Sequence, residues 1–358
     1  MYAVIMAGGK GTRFWPLSRT QLPKHLINIT GKETVIRETV NRILPLFSPE
    51  RILVVTAQAQ ADLVKKQLPE IPKENIIAEP VGRNTAPCIA LAAAVIGKRA
   101  GDEVMVCLPA DHIIQDEDEF RRILQVAIEA AQAHDALVTI GIEPTGPETG
   151  YGYLEQGDLL MLSKGRKVYA VRSMREKPPR EEAERMIAQG GFYWNSGMFI
   201  WRKEVIWQAL ANFLPEIKKK IEKIIPQLDT EKAAEAILAV YENIEPISID
   251  YGVMEKAKNT LLVPGNFGWS DVGSWDALWE VSPKDEAGNV SIGVKAVVSV
   301  GSTNCLVHAP GKLVSLVEVD DVIVVETADA LLICRRGSSQ QVKKAVETIE
   351  GKGWEEFL

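Results

Sequence analysis

The sequence has little cysteine, little histidine and no long apolar run. Its 358 residues include four cysteines and four histidines, and its formal net charge is -7. The cysteines lie far apart among apolar neighbours, which predicts buried free thiols in a reducing compartment rather than disulfides or a metal site; they are Cys88, Cys107, Cys305 and Cys334. Because no 18 consecutive residues are apolar, no transmembrane helix is expected. The negative net charge argues against a general nucleic-acid binder.

The amino terminus adds an expectation about location. An apolar strand begins within two residues of Met1, and the layout of a secretory signal peptide is missing. Together with the cysteine pattern, this predicts a cytoplasmic protein that has neither a membrane nor a nucleic acid as a partner.

The first half of the sequence alternates apolar runs with amphipathic segments. The periodicity predicts strands over residues 2–7, 51–57, 103–111 and 136–142, and helices over residues 34–47, 85–100 and 117–133. This alternation is typical of a parallel, doubly wound sheet. Ligands of such sheets bind beyond the carboxyl ends of the strands, where the glycine-rich stretch after residue 7 and LPADH at 108–112 fall.

The second half departs from this alternation. Short strands are predicted after residue 150, helices over 180–189 and 203–242, short strands with turn residues over 290–335, and a final helix over 338–350. We therefore predict two domains. An α/β domain occupies residues 1–285, and a small, mainly β region that ends in a helix occupies residues 286–358.

The sequence MAGGKGTRFWPLSRTQLPKH at residues 6–25 matches neither common phosphate-binding loop. A dinucleotide-binding turn needs G-x-G-x-x-G, and a Walker loop needs G-x-x-x-x-G-K-[ST]. Its glycines would let backbone N–H groups approach a triphosphate closely. Arg13 could bind two phosphate oxygens at once, and Lys24 could bring a second cation to the same oxygens. A glycine turn with a surface arginine and lysine is the alternative interpretation.

The same stretch, GGxGTR followed by P-L and P-K, is similar to the signature of the sugar-phosphate nucleotidyltransferases, and in particular to their mannose-1-phosphate guanylyltransferase branch. Six more blocks match that branch in order: EPVGRNTAPCIALAA (79–93), LPADHII (108–114), TGYGYLE (149–155), REKP (175–178), FYWNSGMFIW (192–201) and FGWSDVGSW (267–275). Seven blocks in one order along most of the chain are hard to explain by chance.

The resemblance implies a fold and a reaction. The fold is a Rossmann-like, doubly wound mixed sheet that forms the nucleotidyltransferase domain, followed by a short left-handed β-helix-like region. The reaction transfers GMP from GTP to mannose 1-phosphate and gives GDP-mannose and pyrophosphate. Because the second pKa of a phosphate monoester is about 6, the sugar phosphate is already an anionic nucleophile at pH 7. Catalysis then needs positioning and charge neutralisation, and no general base.

The resemblance also implies roles for particular charged residues. Arg13, Lys24 and Lys177 are the expected catalytic residues, the first two on the triphosphate and the third on the sugar phosphate. Asp111 and Asp271 are expected to bind one Mg²⁺ together with phosphate oxygens. Without the family, either aspartate could instead cap a helix, and Lys177 could be an ordinary solvated lysine.

Substrate contacts are expected in three groups. The residues expected at the phosphates are Gly8, Gly9, Gly11, Thr12 and Asp111. The residues expected at the base are Glu79, Arg83, Asn84 and Thr85. The residues expected at the sugar are Gly152, Glu155, Glu176, Asn195 and Gly197, of which Glu176 either orients Lys177 or touches the sugar. The guanine edge offers two hydrogen-bond donors, which suit a carboxylate or carbonyl oxygens.

Three alternatives stay open at this point. The chain could be another sugar-phosphate nucleotidyltransferase with a different base or sugar, or a non-catalytic regulatory homologue that binds nucleotide sugars. The presence of Lys24, Lys177 and both aspartates counts against a non-catalytic homologue. An NAD-dependent Rossmann protein is disfavoured by the missing third glycine. We expect a homodimer, since the open edge of a short β-helix must be covered by a second subunit or by the final helix.

Overall fold

A computed structural model describes residues 1–9 and 11–358 of the chain. The described residues form two compact units, each assembled from separate stretches of sequence. Unit 1 comprises Met1–Gly8, Val40–Ala110 and Ile114–Trp269, and unit 2 comprises Gly9–Thr39, Asp111–Ile113 and Ser270–Leu358. The predicted domain boundary at residue 285 stays a prediction.

Unit 1 is built on a mixed sheet. Among the described residues, nine strands form it: β1 (Tyr2–Ala7), β2 (Ile52–Ala57), β3 (Ile76–Glu79), β4 (Val104–Pro109), β6 (Leu137–Ile142), β7 (Tyr153–Ser163), β8 (Arg166–Arg175), β9 (Phe192–Arg202) and β10 (Thr260–Gly265). Their spatial order is β3-β2-β1-β4-β9-β6-β10-β8-β7. Two-residue strands, β5 (Ile113–Ile114) and β11 (Trp269–Ser270), lie where the chain passes between the units.

The helices of unit 1 bury an apolar core against this sheet. They are α2 (Ala61–Gln67), α3 (Thr85–Ala100), α4 (Glu117–Ala133), α5 (Arg180–Gln189), α6 (Lys203–Phe213), α7 (Pro215–Glu222) and α8 (Ala233–Tyr241), while α1 (Val35–Ile43) carries the chain from unit 2 into unit 1. Every side chain of α3 from Ala86 to Ile96 is buried, which explains why this helix is rich in alanine and has no amphipathic stripe. The predicted helical region 203–242 is divided into three helices, and Pro215 begins the second of them, where a proline is tolerated.

The direction of the strands corrects the parallel sheet that the alternation alone indicates. Strands β1 to β4 are parallel where they pair with one another, as predicted. Strand β9, however, lies between β4 and β6 and is antiparallel to both. The sheet is therefore mixed, as the family resemblance implies, because a strand from the second half of the chain separates two strands of the first half.

Unit 2 contains stacked coils of short strands. These are β12 (Val290–Ile292), β13 (Ala296–Val300), β14 (Leu306–His308), β15 (Leu313–Val317), β16 (Val322–Glu326) and β17 (Leu331–Arg335). Strands β12, β14 and β16 pair in parallel, and so do β13 and β15, which is the pattern of a β-helix-like region. Strand β17 pairs antiparallel with β16 and ends the stack. The left-handed sense of the coils stays a prediction.

The core of unit 2 joins the glycine-rich stretch to these coils. Phe14 and Trp275 pack with ring centroids 4.9 Å apart, in one apolar cluster with Leu306 and Ile323 of the coils. Helix α9 (Trp275–Val281) supplies the tryptophan, and the terminal helix α10 (Val342–Gly351) adds Val342 to the same cluster. Among the described residues, no helix combines the length and the apolar character needed to span a membrane.

Candidate active site

Four of the charged residues that the sequence singles out line one cavity in unit 2. This cavity, which we call the phosphate pocket, has a volume of about 260 Å³. Its lining residues are Gly11, Thr12, Arg13, Phe14, Lys24, Asp111, Asp271, Gly273 and Lys343. The structure thus brings together residues that are far apart in sequence, with two of the predicted cations beside both predicted metal ligands.

Gly11 is a glycine because the backbone of Lys24 passes directly over it. Its φ is +58°, in the left-handed region that glycine adopts without strain. A Cβ atom at Gly11 would lie 2.8 Å from both the backbone nitrogen and the Cβ of Lys24. The main-chain carbonyl of Gly11 also accepts a hydrogen bond of 2.7 Å from the Ser18 hydroxyl. The turn therefore holds the backbone of Lys24 in a fixed position.

Lys24 is a buried cation with two acceptors. Lys24 is only 5% exposed. Its ammonium lies 3.2 Å from Asp111 Oδ2 and also donates to the main-chain carbonyl of Asp271. Burial raises the pKa of the Asp111 carboxyl, but the charge of Lys24, with smaller contributions from His112 and His25, lowers it by more, so the net shift is downward. Asp111 is therefore ionised at neutral pH.

Neither predicted metal ligand caps a helix. The N-cap of α4 is Asp116, whose side chain accepts from the Glu119 N–H, and the N-cap of α9 is Ser274. This removes the structural alternative that the sequence left open for Asp111 and Asp271. Next to Asp271, the buried Val272 has a φ of +40°, which is unfavourable for a β-branched residue and costs on the order of 1–2 kcal/mol. The surrounding packing therefore forces the turn that carries Asp271.

The carboxylates of Asp111 and Asp271 are the kind of oxygen donors that hard divalent ions prefer. Across residues 1–9 and 11–358, no three His, Cys, Asp or Glu side chains come together in a way that could hold a metal ion by themselves. Mg²⁺ needs fewer protein ligands, because it takes one or two carboxylates and completes its shell with phosphate oxygens and water. Two carboxylates beside phosphate-binding cations fit that requirement.

The predicted sugar-contacting residues of unit 1 form a second, separate group. The Asn195 N–H donates to the Gly152 carbonyl at 2.8 Å, and the Asn195 side-chain amide donates to Asp250 Oδ1 at 2.8 Å. The other end of that amide, Oδ1, accepts from the Thr139 hydroxyl and from the Gly197 N–H, each at 3.2 Å. These partners fix the orientation of the Asn195 amide and hold it next to Gly152.

Glu176 lies against Gly152 with one oxygen that has no hydrogen-bond partner. Its side chain is 9% exposed, Oε1 is 3.4 Å from the Lys177 ammonium, and Oε2 is buried without a donor. Burial raises the pKa of Glu176 to about 7, with a further rise from the Asp250 carboxylate and an opposing effect of Lys177. A buried oxygen without a donor is costly, so a ligand hydroxyl at this position would be favoured.

Lys177 and Glu155, two other residues predicted at the sugar site, differ in how strongly other residues hold their side chains. The Lys177 side chain is 55% exposed, and its residue has a φ of +47°, so it stands out from the end of β8 into solvent. The Glu155 carboxylate, by contrast, already accepts hydrogen bonds from Arg172 at 3.0 Å and from the Ser173 hydroxyl at 2.7 Å. A role of Glu155 in sugar binding would require it to share these donors.

The predicted base-contacting residues lie at the end of β3 and the start of α3. Glu79 is buried and accepts a hydrogen bond of 2.9 Å from the Tyr241 hydroxyl. The guanidinium of Arg83 donates to the carbonyls of Tyr241 and Glu242 at 2.8 Å each. Asn84 has a φ of +70° and caps α3 by accepting from the Thr85 N–H. The Thr85 hydroxyl accepts from the Ile249 N–H, so this segment is tied to residues 241–249.

Comparison with protein families identifies the chain. Residues 2–288 match the nucleotidyl transferase family, and residues 295–349 match the mannose-phosphate isomerase/GMP-like β-helix domain. The chain belongs to the nucleotidyl transferase family. Both the mixed α/β fold of the catalytic region and the β-helix-like character of the C-terminal region are thereby confirmed.

Individual relatives of this nucleotidyl transferase align over nearly its whole length. It is 42% identical over 351 residues to a mannose-1-phosphate guanylyltransferase of Klebsiella pneumoniae, covering 97% of this chain and 73% of that relative. It is 38% identical over 363 residues to the alginate biosynthesis protein AlgA of Pseudomonas putida, and the match covers 99% of this chain and 72% of that relative. A crystal structure described as mannose-1-phosphate geranyltransferase from Thermus thermophilus is similar with a TM-score of 0.88 at 32% identity, covering 98% of this chain and 99% of that one.

The structure of this nucleotidyl transferase also contains candidate site residues that the sequence did not suggest. Lys343, in the first turn of α10, lines the phosphate pocket. Asp250 and Glu255 bond to predicted sugar-site groups, the Asn195 amide and the Glu176 N–H respectively. Asp250 begins a π-helical turn at Asp250–Met254, a conformation that often occurs at functional sites. The π-helical turn marks this segment in the structure, but the periodicity of the sequence does not reveal such a turn.

Glu176→Gln is expected to stabilise the free nucleotidyl transferase at pH 8 but not at pH 5. The folded-state pKa of Glu176 is about 7, above its ordinary value of 4.5. The folded chain therefore holds the proton more tightly than the unfolded chain, and stability is lost as the pH rises through about 7. The amide cannot ionise, so we expect a gain on the order of 2 kcal/mol at pH 8.

Denaturant unfolding at the two pH values measures this effect. Glu184→Gln is the matched control, since Glu184 lies on an exposed face of α5 and its ion pair among residues 1–9 and 11–358 is a surface pair with Arg180. An equal change in unfolding free energy at pH 5 and pH 8 for Glu176→Gln would contradict the assignment of a buried, hard-to-ionise carboxyl.

Proposed function

We propose that this chain transfers GMP from GTP to mannose 1-phosphate and releases pyrophosphate. The observation that carries the proposal is the phosphate pocket, in which Lys24 lies between Asp111 and the Asp271 carbonyl and Arg13 lines the same cavity. Fixed cations beside two carboxylates suit phosphoryl chemistry. The curated relatives support the substrates, because mannose-1-phosphate guanylyltransferases match over nearly the full chain.

The reaction follows from the chemistry of its two substrates. A phosphate oxygen of mannose 1-phosphate attacks the α-phosphorus of GTP, and the bond from that phosphorus to the oxygen bridging to the β-phosphorus breaks. Pyrophosphate leaves with that electron pair. Since the attacking phosphate is already anionic at pH 7, no side chain has to remove a proton. What the protein must supply is alignment and compensation of the accumulating negative charge.

The pocket residues divide this work. Arg13 and Lys24 bind the triphosphate and stabilise the charge that builds up on the leaving pyrophosphate. The turn formed by Gly8, Gly9, Gly11 and Thr12 presents backbone N–H groups to the phosphates. Asp111 and Asp271 hold Mg²⁺; members of the family generally use a divalent metal ion. When bound, that ion screens the negative charge of the phosphate oxygens around the reacting phosphorus.

Unit 1 carries the groups for the sugar and the base. Lys177 binds the phosphate of mannose 1-phosphate, because its side chain is 55% exposed and its ammonium is accessible to a ligand beside Glu176. Glu176 accepts a hydrogen bond from a sugar hydroxyl through its buried Oε2. The sugar ring is surrounded by Asn195, Gly152, Gly197 and Glu155. Glu79 reads the base, with Arg83, Asn84 and Thr85 shaping the segment around it. Their mutual bonds support these roles because they hold each group in one orientation.

The proposal is tested with the purified chain, GTP, mannose 1-phosphate and MgCl₂. We expect GDP-mannose and pyrophosphate in equal amounts. Chromatography measures GDP-mannose, and a coupled phosphate assay after pyrophosphatase treatment measures pyrophosphate. UTP, dTTP and ATP replace GTP in parallel reactions, and glucose 1-phosphate replaces mannose 1-phosphate. Faster turnover with UTP or dTTP would assign a different nucleotidyltransferase activity. Tight GDP-mannose binding without turnover would assign the non-catalytic alternative.

Gly152→Ala is expected to raise the KM for mannose 1-phosphate about tenfold or more, with little change in the KM for GTP. The added methyl group would overlap Glu176 Oε2 and lie 3.2 Å from Asn195 Cβ, so both proposed sugar contacts must shift. Gly150→Ala is the matched control, because a methyl group there meets nothing within 4 Å. Equal KM values for mannose 1-phosphate in both variants would show that the sugar binds elsewhere.

Some expectations from the sequence stay proposals. We propose that the enzyme is cytoplasmic and acts as a homodimer. We also propose that it has no nucleic-acid partner. Light scattering of the purified chain measures the oligomeric state directly.

A further inference from the structure

Tyr241 connects the two side chains of the base-contacting segment that carry charge. It is the last residue of α8, and none of its surface is exposed. Its hydroxyl lies 2.9 Å from Glu79 Oε1, and its carbonyl accepts from Arg83 Nε at 2.8 Å. One residue from a distant part of the chain thus fixes the positions of both groups.

The hydroxyl of Tyr241 has two acceptors and only one proton. Besides Glu79 Oε1, it lies 3.2 Å from the main-chain carbonyl of Pro87. If Glu79 is ionised, Tyr241 can donate to it. If Glu79 is protonated on Oε2, Tyr241 can donate either to Oε1 or to Pro87, and the carboxyl keeps its own proton available for a ligand. The two hydrogen-bonding arrangements differ by one proton on Glu79.

The two arrangements fit different bases. An ionised carboxylate only accepts hydrogen bonds, which matches the two donors of guanine, its N1–H and its 2-amino group. A protonated carboxyl offers one donor and one acceptor, which matches the N1 acceptor and the 6-amino group of adenine. The state of Glu79 therefore decides which base edge the segment can read.

We propose that Tyr241 is a positioning residue that sets the selectivity for guanine by donating a hydrogen bond to Glu79 that favours its carboxylate form. The proposal rests on the proposed function, in which Glu79 reads the base. It goes beyond that function because Tyr241 has no base-binding role of its own and lies outside every block that resembles the family.

The electrostatic surroundings make the Tyr241 hydrogen bond decisive. Burial raises the pKa of Glu79 to about 7, and the bond from Tyr241 opposes that rise. The titratable groups that face Glu79 are the Tyr241 phenol from α8 and the Cys88 thiol from α3, and burial raises the pKa of each well above its ordinary value. Both are therefore neutral at pH 7, and Tyr241 acts on Glu79 through its hydrogen bond rather than through charge.

Tyr241→Phe tests the proposal with GTP, ITP and ATP as probes between pH 6 and pH 9. Without the hydroxyl, the carboxylate loses a donor, so its protonation moves to higher pH. At pH 7 we expect the KM for GTP to rise about tenfold with kcat nearly unchanged, the size of effect typical for a hydrogen bond to a charged group. The pH profile of kcat/KM for GTP should shift to higher pH, and the preference for GTP over ATP should narrow. ITP, which lacks the 2-amino group, isolates the N1 contact.

Tyr2→Phe is the matched control, since Tyr2 is a buried tyrosine at the start of β1 whose ring contacts Arg51. It should leave the pH profile and the base preference unchanged. Glu79→Gln provides a second measurement that does not depend on folding of Tyr241→Phe. Its amide cannot ionise, so the ratio of kcat/KM for GTP and ATP should become independent of pH.

Three outcomes separate this proposal from the proposed function. If the wild-type chain makes no GDP-mannose, the proposed function fails. If it does, but Tyr241→Phe keeps the wild-type pH profile and GTP preference, the inference about Tyr241 is wrong and the function stands. A GTP-to-ATP ratio that still varies with pH in Glu79→Gln would overturn the inference in the same way.

Discussion

Asp111→Asn is expected to lower kcat for GDP-mannose formation about a thousandfold at saturating GTP and Mg²⁺. The substitution keeps the size of the side chain but removes one of the two carboxylates proposed to hold the metal ion. Loss of a metal ligand or of preorganised charge at a reacting phosphate has effects of this size. Steady-state kinetics over a range of Mg²⁺ concentrations measures the loss and any recovery at high Mg²⁺.

A structural effect must be separated from the loss of a metal ligand. Asp111 is also the ionic partner of Lys24, whose ammonium is buried, so among the described residues its removal leaves that cation with the Asp271 carbonyl as its remaining hydrogen-bond acceptor. Asp271→Asn resolves the ambiguity, because Lys24 bonds to the main-chain oxygen of Asp271, which the substitution retains. If both carboxylates bind the metal ion, both variants lose activity, while only Asp111→Asn disturbs Lys24.

Asp116→Asn is the matched control for these variants. Asp116 is five positions after Asp111 and caps α4, a role that asparagine fills about as well as aspartate. It should keep full activity and a normal melting temperature. Near-normal turnover of Asp271→Asn with Mg²⁺ would mean that the proposed metal site is wrong, whatever happens to Asp111→Asn.

The sequence predicts the strands of the first half of the chain better than the strand arrangement of the second half. Runs such as Ile52–Ala57 are almost entirely buried, so their composition marks them as interior strands. The antiparallel direction of β9 is different, because it depends on pairing Phe199 with Cys107 and with Thr139, more than 50 residues away. Pairing partners at that distance leave no periodic signal in the strand itself.

The candidate site shows the same limit. The glycine-rich stretch itself predicts Arg13 and Lys24 as phosphate-binding cations, the family resemblance adds Asp111 and Asp271 as metal ligands, and the fold gathers all four around one cavity. Tyr241 was not found, because its bond to Glu79 spans 162 residues and its helix looks like any other apolar helix. Residues that orient a functional side chain need only one atom in the right place. The local sequence around them is therefore unconstrained, and only the three-dimensional structure reveals them.

Lys24→Met is expected to lower kcat/KM for GTP by two to three orders of magnitude, roughly the effect of removing one preorganised donor from a charged transition state. Methionine keeps the length and volume of the side chain at a position where only 5% of the residue is exposed, and it removes only the ammonium. Folding should change little, since Asp111, whose side chain is 36% exposed, can be solvated once its partner is gone. Lys65→Met is the matched control, because the ion pair that Lys65 forms within the described part of the chain is a surface pair with Asp62.

The pH dependence of Lys24→Met gives a second and independent readout. In the wild-type chain, Lys24 is the main cation that holds the pKa of Asp111 below its ordinary value. Without Lys24, the Asp111 pKa rises, so the carboxylate is protonated at a higher pH and the metal ion competes with protons sooner. The acid limb of the kcat/KM profile should therefore move to higher pH in Lys24→Met and stay in place in Lys65→Met. A variant that loses activity with an unchanged acid limb would show that Lys24 acts on the triphosphate alone and does not tune Asp111.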